Sequence, residues 1–198
     1  MSSPNPFSIK IVFLGESGTG KTSIVTKYVS GSIPEVSVPT VGAAFVTKDI
    51  IFNKKTVQLL IWDTAGQELY RGLAPMYYRN AVIAFIVYDV TNAASYKAVE
   101  YWINELKEKG EEQMVLVICG NKIDLEERVV EEVEAQAFAS GHNAIYVETS
   151  AVSGQGIDRM FQNAISELIK LQSSNRVSHQ QTSSNSIQIE NTNQSSCC

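Results

Sequence analysis

The sequence predicts an α/β fold: a six-stranded, mostly parallel sheet with one antiparallel strand and helices on both faces. Three observations carry that prediction. From Val82 onward, apolar runs alternate with segments of helical periodicity, and strands that recur in this way are joined by crossover helices into a parallel sheet. A glycine-rich turn, Gly15 to Thr22, stands between an apolar strand and a helix. Each polar motif follows the C-terminal end of a strand run, where open α/β sheets present their ligand sites.

The elements follow in order. Ile9 to Leu14 reads as a short apolar strand, and Ser23 to Val29 continues the glycine turn as a helix. Gly31 to Pro39 has two prolines, a glycine and no periodicity, so it is a loop. Phe45 to Phe52 and Thr56 to Trp62 form a hairpin joined at Asn53-Lys54-Lys55, which supplies the antiparallel strand. Glu68 to Tyr78 is a loop with a helix broken by Pro75. Val82 to Tyr88 and Val115 to Cys119 are nearly continuous apolar runs, the mark of strands buried on both faces. Between them, Ser95 to Lys109 places Val99, Trp102, Ile103 and Leu106 at helical spacing. Val130 to Ser140 reads as a helix stopped by Gly141, and Ala144 to Val147 as the last strand. Ile157 to Leu171 is an amphipathic helix with Met160, Phe161, Ile165 and Leu168 on one face.

A chain of 198 residues, 44% hydrophobic, is enough for one α/β domain with a real core and an appendage. A net charge of −5 argues against general nucleic-acid binding, which calls for a basic face. No apolar run approaches the ~20 residues of a membrane-spanning helix. Met1 to Pro6 lacks the features of a signal peptide, so the chain is expected on the cytosolic side. Cys119 lies in an apolar strand and reads as core. From Gln172, Ser, Thr, Asn and Gln make up 19 of 27 residues, too polar a segment to offset its ordering entropy, so disorder is expected there.

Gly15-Glu16-Ser17-Gly18-Thr19-Gly20-Lys21-Thr22 fits G-x-x-x-x-G-K-[ST], a P-loop. Strand, glycine turn and helix N-terminus together present backbone N–H groups to a phosphate. Glycine lets that backbone come close to the phosphates at angles a Cβ would forbid. Lys21 reaches the β- and γ-phosphates, and the Thr22 hydroxyl can ligate Mg²⁺. Asp63, at the end of a strand beside the P-loop strand, can hold Mg²⁺ through a water, and Gly66 lets its N–H approach a γ-phosphate. Asn121-Lys122-Ile123-Asp124 follows a buried strand. A carboxylate at Asp124 accepts from the N1–H and 2-amino group of guanine, a donor pair adenine lacks. The Lys122 stem can cover the ring, Asn121 can tie this loop to the P-loop, and Glu148-Thr149-Ser150-Ala151 offers backbone N–H groups to the guanine O6. A P-loop kinase or ATPase is the competing enzyme class, and it would lack Asn-Lys-x-Asp. A nucleotide-binding scaffold without hydrolysis is the non-enzymatic alternative.

The P-loop, the lone Thr40, Trp62-Asp63-Thr64-Ala65-Gly66-Gln67, Asn121-Lys122-Ile123-Asp124 and Glu148-Thr149-Ser150-Ala151 resemble the Ras-like small GTPases over residues 8 to 171. Trp-Asp-Thr-Ala-Gly-Gln-Glu, Tyr77-Tyr78-Arg79 and the terminal Cys197-Cys198 look like the Rab branch. Val41 to Phe45 and Leu73 to Arg79 are most similar to its early-endosomal members. The resemblance implies a P-loop NTPase G domain over 8–171, an N-terminal extension over 1–7 and a hypervariable tail over 172–198. It makes Thr40 a Mg²⁺ ligand that senses the γ-phosphate, and Gln67 the group that orients the attacking water, the role the Ras glutamine has in phosphoryl transfer. Ser17, Gly18, Thr19, Gly20, Ser23, Ile33, Pro34, Glu35 and Val152 join the nucleotide-binding set. Phe45, Trp62 and Tyr77 become an aromatic effector surface, and Cys197 and Cys198 geranylgeranylation sites. The sequence departs from the family pattern in four respects. Leu69-Tyr70 stands in place of the usual Arg-Phe after Gln-Glu, and Ser17 is shared with many Rabs. Ile33 replaces a Phe packed on the guanine, and Val152 replaces the usual Lys.

The implied protein is a switch for GTP and GDP with Mg²⁺, with slow hydrolysis until an activating protein assists. Its implied partners are an exchange factor, a GTPase-activating protein, a GDP-dissociation inhibitor, a prenylation escort and effectors. It would sit on endomembranes, the early endosome first among them, through its lipidated tail.

Overall fold

A computed structural model describes residues 7–33, 39–66, 72, 74–111 and 113–183, with side chains as far as 174. Pro34, Glu35, Gln67, Leu69, Tyr70, Leu73, Cys197 and Cys198 lie outside the described residues. The elements are β1 (Phe7–Leu14), α1 (Lys21–Ser30), β2 (Ala43–Phe52), β3 (Lys55–Thr64), α2 (Ala74–Tyr78), β4 (Ile83–Asp89), α3 (Ala93–Lys109), β5 (Val115–Asn121), α4 (Glu132–Gly141), β6 (Ile145–Thr149) and α5 (Ile157–Ser183). They build a six-stranded sheet in the order β2-β3-β1-β4-β5-β6. Among the described residues, only the β2–β3 pairing is antiparallel.

Alternate residues of the central strands enter two cores. Ile9, Ile11, Phe13, Phe85, Val87 and Val117 meet Ile24 of α1 and Phe161, Ile165 and Leu168 of α5 on one face. Val12, Leu14, Ala84, Ile86 and Ile118 meet Val99, Trp102, Ile103 and Leu106 of α3 on the other. With both faces buried, β4 has no polar side chain before its last residue, Asp89, except the Tyr88 hydroxyl. At about 25 cal/mol per Å² of apolar area, this two-sided burial is the main favourable contribution to the fold.

Several boundaries differ from the sequence expectation, each for a local reason. Asn92 caps α3, its Oδ1 accepting from the Ala94 and Ser95 amides at 2.9 and 3.1 Å, so the helix starts ahead of Ser95. Pro75 does not break α2. It occupies the first turn, where its missing N–H has no helical partner to lose. Val130 precedes α4, because its amide is drawn to the Val90 carbonyl at 3.1 Å. Gly141 stays helical, and the turn comes after it at Asn143, φ 55°. Asn53 and Lys54, φ 48° and 64°, make a two-residue turn, which leaves Lys55 to open β3. The helix α5 passes Leu171 and runs to Ser183, where the sequence expects disorder from Gln172. No Gly or Pro interrupts it, and each residue added to a formed helix gains a hydrogen bond at little extra ordering cost.

Candidate functional site

The C-terminal ends of β1, β3, β4, β5 and β6 carry the site. The strands run one or two residues beyond their last apolar position, so Asp63, Thr64, Asp89, Asn121 and Thr149 belong to the sheet itself. Between β1 and α1 the P-loop turns at Gly15 (φ 131°), Gly18 (φ 78°) and Gly20 (φ 93°). A Cβ on Gly15 would stand 2.1 Å from the Val87 carbonyl oxygen, and one on Gly20 2.3 Å from Asn121 Nδ2. Gly20 caps α1 without a side-chain bond, leaving first-turn amides of the helix to face a ligand. Lys21 Nζ donates to the carbonyls of Gly15 at 2.7 Å and Glu16 at 2.8 Å. Burial lowers its pKa to about 8, against the opposing charges of Asp63 and Glu16. Thr19 donates to the Glu16 carbonyl and stiffens the turn. Ser17, Gly18, Gly20, Lys21, Thr22 and Ser23 line one wall of a cavity of about 240 Å³, with Thr40, Gly66 and Lys122 on the others.

Thr22, Thr40 and Asp63, which the sequence separates widely, meet at that cavity. Thr22 Oγ1 lies 2.7 Å from Thr40 Oγ1 and donates to Asp63 Oδ2 at 2.6 Å. Asp63 is 2% exposed, and its Oδ1 is buried with no hydrogen-bond partner. Burial raises the Asp63 pKa, while the Thr22 bond and the Lys21 charge pull the other way. A buried carboxylate oxygen without a partner, grouped with two hydroxyl oxygens, is a hard oxygen set that fits Mg²⁺. Gly66 is pressed onto the P-loop, where a Cβ would come within 2.3 Å of the Ser17 nitrogen. Ala65 donates its amide to the Gly42 carbonyl at 2.8 Å, which joins this strand end to the Thr40 segment.

A second cavity of about 190 Å³ adjoins the first and shares Gly20, Ser23 and Lys122 with it. Ile33, Asn121, Asp124, Leu125, Ala151 and Val152 complete its lining. Asn121 ties the two together. Its Nδ2 donates to the Thr19 carbonyl at 2.8 Å, and its Oδ1 accepts from Thr149 Oγ1 at 3.0 Å. Lys122, at φ 70°, pairs with Asp89 Oδ2 at 2.6 Å. Burial would raise the Asp89 pKa, but the bonds from Lys122 and Thr91 outweigh it and hold the carboxyl below its ordinary value. Asp124 stands exposed on the rim. One expectation is corrected here: the Ser150 N–H is taken by the Gln155 carbonyl at 3.0 Å, so it is not presented to a ligand. The Ser150 hydroxyl accepts from Ser153 N instead. Ala151 keeps its place on the cavity wall.

Phe45, Trp62 and Tyr77 form one aromatic chain, with ring centroids 5.0 and 5.6 Å apart. Phe45 is 50% exposed. Sequence reading missed Asp89 and Arg128 as supports of the site, and it gave Glu148 and Thr149 main-chain roles only, not the side-chain bonds they make. For Asp89 a signal existed: an acidic residue ends a fully apolar strand at the same sheet edge as the other motifs.

Residues 10–170 match the model of the Ras family. The chain is 43% identical over 166 residues to the GTP-binding protein ypt5 of Schizosaccharomyces pombe, covering 82% of this chain and 78% of that protein. It is 41% identical over 172 residues to the Ras-related protein RHN1 of Nicotiana plumbaginifolia, covering 86% of each. It is also 41% identical over 162 residues to the Ras-related protein Rab5A of Oryza sativa subsp. japonica, covering 81% of this chain and 80% of that one.

Proposed function

The chain belongs to the Ras family as a Rab-type small GTPase, and from that premise we propose that the two joined cavities hold one guanine nucleotide, phosphates on the P-loop and base against Asp124. The protein is a GTP-binding switch of vesicle traffic. The observation that carries the assignment of the site is the meeting of Thr22, Thr40 and Asp63 beside a P-loop that Asn121 links to the base cavity. Lys21 turns its ammonium toward phosphate oxygens, whose negative charge favours the charged form against the burial that lowers its pKa. The P-loop amides and Lys21 stabilise charge on the leaving phosphates. Thr22 and Thr40, with Asp63, would hold Mg²⁺, which would supply positive charge to offset the phosphate oxygens. Gln67, next to Gly66, orients the water for in-line attack. No arginine lines the phosphate cavity among the described residues, in keeping with slow hydrolysis until a partner supplies one. Thr40 couples the γ-phosphate to the strand that bears Phe45, so the aromatic surface is offered to effectors in the GTP state.

The test is direct titration of the magnesium-loaded chain with GTP and ATP. Strong preference for GTP is expected, and equal affinity for ATP would sink the reading. Gln67→Leu should leave binding intact and lower partner-stimulated hydrolysis by about a hundredfold or more. Unchanged stimulated turnover would move the water-orienting role elsewhere.

The regulators belonging to this reading are an exchange factor, an activating protein, a GDP-dissociation inhibitor and a prenylation escort. Geranylgeranyl groups on Cys197 and Cys198 would anchor the chain. One lipid chain binds only marginally, and no run of Lys or Arg precedes the cysteines, so two chains are needed. The early endosome is the proposed membrane, supported by the Val41–Phe45 and Leu73–Arg79 resemblance and by likeness to the rice protein named Rab5A. Cys197→Ser/Cys198→Ser should be wholly cytosolic on fractionation, and persistent membrane association would point to another anchor.

A further inference from the structure

Across the ends of β4, β5 and β6 lies a hydrogen-bonded row of side chains to which the switch reading gives no role. Tyr88 on β4 pairs with Gly120 on β5, and Gly120 pairs with Glu148 on β6. Gly120 leaves room above its backbone: a Cβ there would lie 2.8 Å from the Tyr88 hydroxyl oxygen and 3.1 Å from that of Tyr146. Through this gap the two hydroxyls meet at 3.0 Å, and Tyr146 donates onward to Glu148 Oε1 at 2.8 Å. The guanidinium of Arg128 closes on the same carboxylate as a fork, Nη1 to Oε1 at 2.8 Å and Nη2 to Oε2 at 3.0 Å. The proton arrangement follows from the donor count. Glu148, paired with a guanidinium, only accepts, and Tyr146 spends its single proton on Glu148, so Tyr88 donates to Tyr146.

The row joins the loop that carries Asp124 to the end of β6. Arg128 lies on that loop, and Glu148 lies in β6 just ahead of Ala151 and Val152, which line the second cavity with Asp124. Other ties on the first loop are the Lys122–Asp89 pair and a bond from Arg128 Nη1 to the Val130 carbonyl at 3.0 Å. Backbone bonds hold its ends, Ile123 to the Thr149 carbonyl at 3.3 Å, and Val129 and Val130 to the Val90 carbonyl at 3.0 and 3.1 Å. The fork is a second side-chain link between these two motifs, beside the Thr149–Asn121 bond, and it is partly shielded, with side-chain exposures of 26% for Arg128 and 15% for Glu148. The Tyr146 bond fixes the Glu148 rotamer, so the carboxylate is already turned to receive both guanidinium nitrogens. We propose that Tyr146 and Arg128 are positioning residues that act together through Glu148 to set how long a guanine nucleotide stays bound, by holding the Asp124 loop against the Ala151 loop. The inference rests on the guanine-binding reading above.

The experiment measures dissociation of a fluorescent GDP analogue from the full chain in excess Mg²⁺, with association rates and thermal midpoints alongside. Tyr146→Phe, which keeps the ring and removes one O–H, should speed release about threefold, and Arg128→Ala about tenfold. Arg128→Lys, which keeps the charge and loses the fork, should fall between them. Combining Tyr146→Phe with Arg128→Ala should release no faster than Arg128→Ala alone, because both act on one carboxylate. Association rates should stay at the wild-type value, an outcome that a general loosening of the fold would not give. Wild-type release in both single variants would overturn the inference. So would additive effects that track a falling thermal midpoint. A wild-type chain that retains no GDP analogue would overturn the guanine-binding reading itself, whereas retention with unchanged variant rates defeats this inference alone.

Discussion

At the phosphate end of the site, Thr19, Lys21, Asp63 and Thr64 are none of them more than 5% exposed, and Gly15, Gly20 and Gly66 admit no side chain. At the base end, Ile33 is 37% exposed and Val152 60%, and Asp124 stands on the open rim. The first is set by main-chain atoms and buried polar groups that have one place to be. The second is a rim of side chains whose positions depend on loops, and those loops depend on Asn121, Asp89 and the Arg128–Glu148 fork. The contrast teaches that damage at the phosphate end should be close to all-or-none, whereas changes at the base end should be graded.

Three substitutions break or sharpen that contrast. Lys21→Ala removes the buried cation that the proposed reading sets on the phosphates, and nucleotide affinity should fall by about a thousandfold in equilibrium titration. A loss of only a few-fold would mean the phosphate end tolerates change as the rim does. Asp124→Asn exchanges a two-acceptor carboxylate for an amide with a single acceptor oxygen. It should weaken GTP by about a hundredfold and shift preference toward xanthine nucleotides, measured by competition. Retention of guanine preference would remove Asp124 from base selection. Ile33→Phe adds a flat face to a position that already lines the base cavity. Stacking should slow GDP release by about fivefold to tenfold, near 1 kcal/mol. Equal release rates would show that Ile33 closes the cavity without touching the base.

Legibility in the sequence divides along the same line. The glycine turn was readable because its geometry is local: one strand, one turn and one helix N-terminus follow one another within Phe7 to Ser23. The alternation of apolar runs likewise made the parallel sheet plain, since strands buried on two faces have to be apolar throughout. Element ends were read less well. Asp63, Asn121 and Thr149 look like loop residues, yet they stay in the ladder because a strand end at the ligand edge can carry polar side chains. Pro75 looks like a breaker, yet it begins α2, because the outcome depends on which turn of the helix it enters.

The sequence by itself determined the sheet, its helices, the P-loop and the three other motifs along one edge. It did so because periodicity and short-range backbone geometry are properties of neighbouring residues. Only the tertiary structure decided which distant side chains meet. Thr22, Thr40 and Asp63 share two hydrogen bonds across three separate segments. Asp89 takes Lys122, and Tyr88, Tyr146, Glu148 and Arg128 form one hydrogen-bonded row. The structure also took the Ser150 amide out of the ligand's reach by giving it to Gln155. A hydrogen bond depends on separations of tenths of an ångström between residues far apart in the chain, and sheet register sets that separation.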